Sequence, residues 1–401
     1  MDRVWIFHDS TIEVRFLPQR FGGLLMTKDG LQGSGQTFFF ALEGLRGLVA
    51  IMVMIMHYAI SSGFNTEATV FIPRTYLAVD FFFVLSGFII AHAYERRLLT
   101  GMSLPDFVLR RVVRLWPLLI LSLSLTLTAI FLAPLLNVEH SKRSLSIASF
   151  LLSVFLLPTP EALAPLPPLV FPLNVPAWSL SVEVGANLAY AALVSLLATR
   201  RLGLFVIASA LMLVVATSLG SGDLNSGGMW HNYGGGWLRV CWGFSAGLLV
   251  YRLWLRRPPK PLPPMALYAL GLGFVGISVA KVESAAFDLV AVIVLFPLAV
   301  YFGTGIQLSG FSKALVKQLG HLSYSLYITH IPLIILIKVI LLAAHIDLAR
   351  NALAIFLLGS LLAIAFAWVL DMIYDKPVRA WLSRRLLVRG SRINIPVRAD
   401  A

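Results

Sequence analysis

Charge is what this chain has least of. Only 13% of its 401 residues are Asp, Glu, Lys or Arg, about half the share found in soluble domains. A chain so poor in charge and 58% hydrophobic does not read as a water-soluble globule. There is one cysteine, Cys241, which excludes an internal disulfide and any multi-cysteine zinc site. Neither HExxH nor a Walker loop occurs, so the two commonest signatures of zinc hydrolysis and nucleotide hydrolysis are missing. Residues 1–37 lack the compact apolar core of a signal peptide. No internal repeat is visible, which weighs against the paired halves of many transporters. Dyad alternation is missing too, so a membrane β-barrel is not indicated.

What the sequence does have is long apolar runs, repeated from end to end. With no water in the bilayer core, the backbone must satisfy itself, and continuous runs of this length do so as helices. The expected fold is all-α, a polytopic bundle of about ten transmembrane helices. The spans fall near 38–60, 75–94, 115–136, 177–198, 202–219, 236–254, 265–280, 285–302, 319–343 and 351–372. Residues 1–37 are expected as a poorly ordered extension, 38–380 as the membrane domain and 381–401 as a basic tail. Residues 144–157 are apolar but short and lead into a proline-rich stretch. They read as a re-entrant or interfacial segment.

The net charge of +13 is an orientation code and not a nucleic-acid footprint. With these spans, 25 of the 32 Lys and Arg fall on one side and five on the other. That bias places both termini in the cytoplasm.

Ionisable residues inside spans are costly and mark function by default. Arg46 and His57 lie eleven residues apart, about three helical turns, so they share a face, and Glu43 lies one turn below Arg46 on it. That face is expected to border one water-accessible cavity opening inward. A second cluster, Arg110, Arg111 and Arg114, stands where the third helix leaves the cytoplasm. Guanidinium forks there suit a polyphosphorylated ligand. Asp80, Ser86, Glu183, Arg239, His330 and Asp371 are further polar positions within spans. Glu183 and Arg239 are a conceivable pair, and Asp371 and Asp375 mark the end of the last span. "GFSAG" at 243–247 has the letters of a nucleophile elbow but sits in an apolar span, where small residues serve helix packing. His8, His140, His231 and His345 show no ligand spacing, and no metal site is expected.

Several short motifs recur in a fixed order: "LEGLRG" with Arg46 and His57, "FFVLSGF" at 82–88, Arg111 with Arg114, "WSLSVE" at 178–183, "SYSLYITH" at 323–330 and "YDKP" at 374–377. Together they resemble the acyltransferase 3 family, membrane enzymes that O-acylate bacterial surface glycans and other extracytoplasmic acceptors. Glu43 stands where the family usually has Asp, and Val184 follows Glu183 in place of a common aromatic. The resemblance implies a multi-pass protein of the bacterial inner membrane. It would move an acyl group, often acetyl, from cytoplasmic acyl-CoA to a hydroxyl of a glycan or lipid-linked sugar. Acyl-CoA is then a co-substrate, with no permanently bound cofactor. In that reading His57 is the general base, Glu43 orients Arg46, and Arg46 with the Arg110–Arg114 cluster holds the CoA phosphates; a neutral imidazole suits the first role. An acyl-histidine intermediate stays open. A different class is a proton- or ion-coupled transporter of an envelope precursor, with His57, Asp80, Glu183 and His330 as a relay. A third is a structural subunit scaffolding an envelope assembly.

Overall fold

A computed structural model describes residues 37–64, 71–136, 143–166, 168–220, 222–282 and 284–387. The chain divides into two compact units, Met1–Phe38 and Phe39–Ala401, and the second is described here. The extension expected over 1–37 lies, but for Thr37, outside the described residues. So do His8, His140 and the tail beyond Leu387.

The second unit is helical. In chain order the helices are α1 (Phe40–Ser62), α2 (Ala78–Leu99), α3 (Leu104–Leu132), α4 (Arg143–Val154), α5 (Ala177–Leu193), α6 (Thr199–Leu219) and α7 (Tyr233–Arg256). They continue as α8 (Met265–Val279), α9 (Ala285–Val290), α10 (Phe296–Gly303), α11 (Gly310–Ala343), α12 (Ala352–Leu370) and α13 (Lys376–Leu382). Among the described residues, eight helices or continuous helical runs are long and apolar enough to cross a membrane. The spans expected at 236–254 and 265–280 correspond to α7 and α8, which are more polar and shorter respectively. The protein is a polytopic helical membrane protein.

Glycines bring the helices that frame the site together. α1 and α11 run parallel, and a Cβ on Gly47 would stand 2.6 Å from the Leu319 carbonyl carbon. α2 and α7 meet in the same way, with Gly87 against the Phe244 carbonyl and Gly243 against Phe83. In lipid there is little hydrophobic drive between helices, so close backbone approach at small residues supplies the contact. This is the role of the "GFSAG" segment. Ser245 there donates to the Cys241 carbonyl at 2.6 Å, a bond within its own helix.

α4 is too short to span. Trp116 of α3 donates to the Val154 carbonyl at its end, at 2.8 Å. The chain then reverses at Leu156, which adopts φ 55°. The amide of Leu157 returns to the Leu152 carbonyl and that of Leu156 to Ser153, a Schellman-type close. Leu156 is held there by its buried side chain and by Ser181, which donates to its carbonyl at 2.7 Å.

Prolines shape the last helices. Pro332 lies within α11 and has no N–H, which leaves the Ile328 carbonyl without its helical partner. Asn174, fully buried in the loop before α5, donates its amide to that carbonyl at 2.8 Å and to Ser122 at 3.2 Å. Asn174→Ala should therefore cost about 1–3 kcal/mol, the cost of an orphaned buried carbonyl. Thermal unfolding in detergent measures it.

The helical path does not stop at Asp371 and Asp375, where the sequence places the end of the last span. A π-turn over Asp371–Asp375 leads directly into α13, and a further π-turn, Ser383–Leu387, extends the helical path. The wider turn relieves the conflict between Pro377 and the carbonyl four residues earlier. The same device, a π-turn over Ala291–Leu295, precedes Pro297 in α10.

Candidate active site

Two cavities lie end to end among α1, α2, α3, α5, α7 and α11. The first, about 160 Å³, is lined by Arg46, Ser86, Arg111, Arg114, Glu183 and Tyr324 among others. The second, about 390 Å³, is lined by His57, Trp178, Met229 and Arg239, with Val175 and Asn225 from the two long loops. Val79 and Tyr327 belong to both walls. The one cavity expected from the sequence is found as two chambers that share these two wall residues. Arg46 and His57 do share a face of α1, the face packed on α11. Arg46 lines the first chamber and His57 the second.

In the first chamber, Arg46 is held from several directions. It meets both oxygens of Glu43 at 3.1 and 2.7 Å, the Ser323 hydroxyl at 2.7 Å and the Gly320 carbonyl at 2.6 Å. Four of its five N–H groups are used, so it is a fixed charge with one donor to spare. Ser103 caps α3 by accepting from the Asp106 amide at 3.2 Å, and the two turns that follow carry the arginines. Arg111 lies 3.7 Å from Glu183, whose carboxylate also accepts from Ser86 at 2.6 Å. Arg114 lies 3.7 Å from Asp375 and 5.5 Å above the Tyr324 ring. The pairs at 3.7 Å are loose, and these two guanidiniums keep donors for another partner. Arg110, a neighbour in sequence, does not reach this chamber; its Nε is buried without a partner.

The second chamber holds a histidine pair. His57 Nδ1 lies 3.0 Å from the Val53 carbonyl and 3.1 Å from His330 Nε2, while His330 Nδ1 lies 2.9 Å from the Leu326 carbonyl. Carbonyl oxygens only accept, so each Nδ1 carries the hydrogen, an assignment made from the network. His330 Nε2 is then a lone pair that accepts from His57. In the neutral ring His57 Nε2 then keeps its lone pair, and it has no hydrogen-bond partner among the described residues. His57 is half-buried and borders the chamber, whereas His330 is 1% exposed and stands behind it. One imidazole is thus aligned by a second, with its basic nitrogen left for a ligand.

Arg239 does not pair with Glu183. Its Nε and a terminal nitrogen grip Asp80 at 3.0 and 2.6 Å, and it also donates to the carbonyls of Ser226 at 2.6 Å and Tyr76 at 2.8 Å. Asp80 has no exposed surface, and Arg239 has almost none. The pair fastens the glycine-rich loop over the second chamber. Beside it, Asp288 pairs with Arg74 and accepts from Tyr76 at 2.6 Å and from the Leu224 amide at 3.2 Å. Asp371, buried beside Lys376 at 2.5 Å, borders neither chamber. The relay imagined for a transporter is discontinuous. Asp80 is locked to Arg239, Glu183 faces the other chamber, and only His57 and His330 touch.

The sequence reading missed Ser179, Ser323, Tyr324 and Tyr327. The signal was present, since Ser323, Tyr327 and His330 recur at helical spacing on one face of α11. Aromatic residues in an apolar run pass for core.

A family model described as "Acyltransferase domain" matches residues 39–372, most of the chain and all of the elements that build both chambers. The chain belongs to the acyltransferase 3 family. A curated relative, "Protein 2 in picA locus" of Rhizobium radiobacter, is 34% identical over 190 residues, 45% of this chain and 95% of the relative. No solved structure matches the chain significantly. The family makes this protein a multi-pass membrane acyltransferase, and the two chambers are its candidate active site.

Proposed function

We propose that this acyltransferase takes an acyl group, acetyl in the simplest case, from acyl-CoA in the arginine-lined chamber. It gives that group to a hydroxyl of a glycan or lipid-linked sugar in the histidine chamber. The arginine-bearing end faces the cytoplasm in this reading, following the charge bias, and the membrane is the bacterial inner membrane. The observation that carries it is the open Nε2 of His57 in one chamber, with a cluster of guanidiniums in a chamber that shares Val79 and Tyr327 with it.

The chemistry follows from the groups present. Arg111 and Arg114, with the remaining N–H of Arg46, bind CoA phosphates as forked donors. The thioester end then reaches towards His57. Nε2 accepts the proton of the acceptor hydroxyl as its oxygen attacks the acyl carbon. The C–S bond breaks, and the CoA sulfur leaves with a proton returned from the imidazolium. His330 stabilises the Nδ1–H tautomer that keeps Nε2 basic, as an orienting partner does in other histidine-centred sites.

The reading is tested in proteoliposomes with radiolabelled acetyl-CoA and envelope lipid as acceptor. Release of free CoA matched by label in the lipid or glycan fraction is expected. A transporter or a scaffold releases none, and that result would remove the proposal. His330 gives a finer check. His330→Ala should lower kcat about 10–100-fold, the usual cost of losing an orienting partner, with KM for acyl-CoA unchanged. His330→Gln, whose side-chain carbonyl can accept from His57, should recover much of the loss.

A further inference from the structure

Tyr327 occupies an unusual place. It borders both chambers, and so does Val79 opposite it on α2. The Tyr327 hydroxyl makes a 2.6 Å hydrogen bond with Ser179, a wall residue of the first chamber, and lies 3.5 Å from the carbonyl of Pro176, a wall residue of the second. Its ring stands edge-on to Phe82 at 5.6 Å and to His330 at 6.1 Å. Residues of α1, α2, α5 and α11 line both chambers, loop residues such as Val175 and Asn225 add to the second, and Tyr327 and Val79 are the two residues common to both walls. A tyrosine ring tethered through one short hydrogen bond moves by rotating about its χ angles, without any shift of helix packing.

We propose that Tyr327, with Val79, is the partition that decides between acyl transfer and hydrolysis. This rests on the donor and acceptor assignment above. A thioester in the first chamber is shielded from the second while the ring is in place. The incoming acyl end displaces the ring, and it meets the acceptor hydroxyl beside His57. Without the ring, water from the second chamber reaches the thioester first. Water oxygen then bonds to the acyl carbon, the C–S bond breaks, and the products are a free carboxylic acid and the CoA thiol, with water supplying both protons. Tyr327 on this account is a specificity determinant. His57 performs the proton transfer in either reaction.

The test has two independent readouts. In a Cys241→Ala background, Ser86→Cys places one thiol in the first chamber, and a membrane-impermeant thiol reagent is applied to vesicles of either orientation. With Tyr327 present, labelling is expected only from the arginine-bearing face. Adding Tyr327→Ala should admit the reagent from the opposite face as well, whereas Tyr327→Phe, which keeps the ring, should not. In parallel, purified Tyr327→Ala should release CoA without acceptor about tenfold faster than wild type, with transfer to acceptor reduced. Val79→Gly should shift both readouts the same way and guards against a folding defect at Tyr327. Labelling of Ser86→Cys from both faces with Tyr327 intact overturns the partition, as does unchanged labelling in both Tyr327→Ala and Val79→Gly. If the chamber opens but acceptor-free CoA release stays at the wild-type level, the role in transfer against hydrolysis is overturned. A wild-type protein that never releases CoA refutes the donor assignment instead, and the labelling still decides the partition.

Discussion

His57→Gln, purified and reconstituted, should retain its fold and lose acyl transfer by about 10²–10⁴-fold, the usual contribution of a general base. The physical argument is local. Val53 and His330 both engage Nδ1, so the only nitrogen left to accept a proton is Nε2, and it borders the larger chamber. Glutamine preserves much of the volume and polarity, so α1 packing on α11 should survive. Radiolabel transferred from acyl-CoA gives the rate, and gel filtration with thermal unfolding reports the fold. A variant that folds and still turns over at more than a tenth of the wild-type rate would exclude His57 as the base.

The second large effect should appear in stability. Asp80→Ala leaves a guanidinium with almost no exposed surface facing two carbonyls and the Trp178 ring, with no counter-charge. Arg239→Met leaves the carboxylate stranded and frees the Ser226 and Tyr76 carbonyls as well. Breaking one side of a buried ion pair costs about 3–5 kcal/mol, and Arg239→Met should be the worse of the two. The double variant Asp80→Ala with Arg239→Met should be less destabilised than Arg239→Met alone, because no charge is then left unpaired. Thermal unfolding of the four proteins in one detergent gives the comparison. Additive losses in the double variant would mean that the two charges do not depend on each other.

Much of the fold was legible because lipid imposes a simple rule, and runs such as 319–343 or 202–219 have no other stable form. Arg46 and His57 were legible for a related reason. Eleven residues is a near-integral number of turns, so one helix suffices to show their common face. Asp80 and Arg239 were not legible as partners. They lie 159 residues apart in sequence, and periodicity within a helix says nothing about which helix lies opposite. Tyr327 escaped for a different reason, since its task depends on two empty spaces, and a one-dimensional string does not encode where side chains fail to fill. The continuation of the last helix past Pro377 was hidden because proline ordinarily stops a helix, and the π-turn that accommodates it leaves no composition of its own.

The parallel seam between α1 and α11 has a consequence for biogenesis. His57 lies on α1, and its partner on α11 follows 273 residues later. Throughout synthesis, Arg46 and His57 wait in the bilayer without Ser323, Gly320 or His330 to engage them. The contacts that hold these side chains therefore form only when α11 is made and docks against α1.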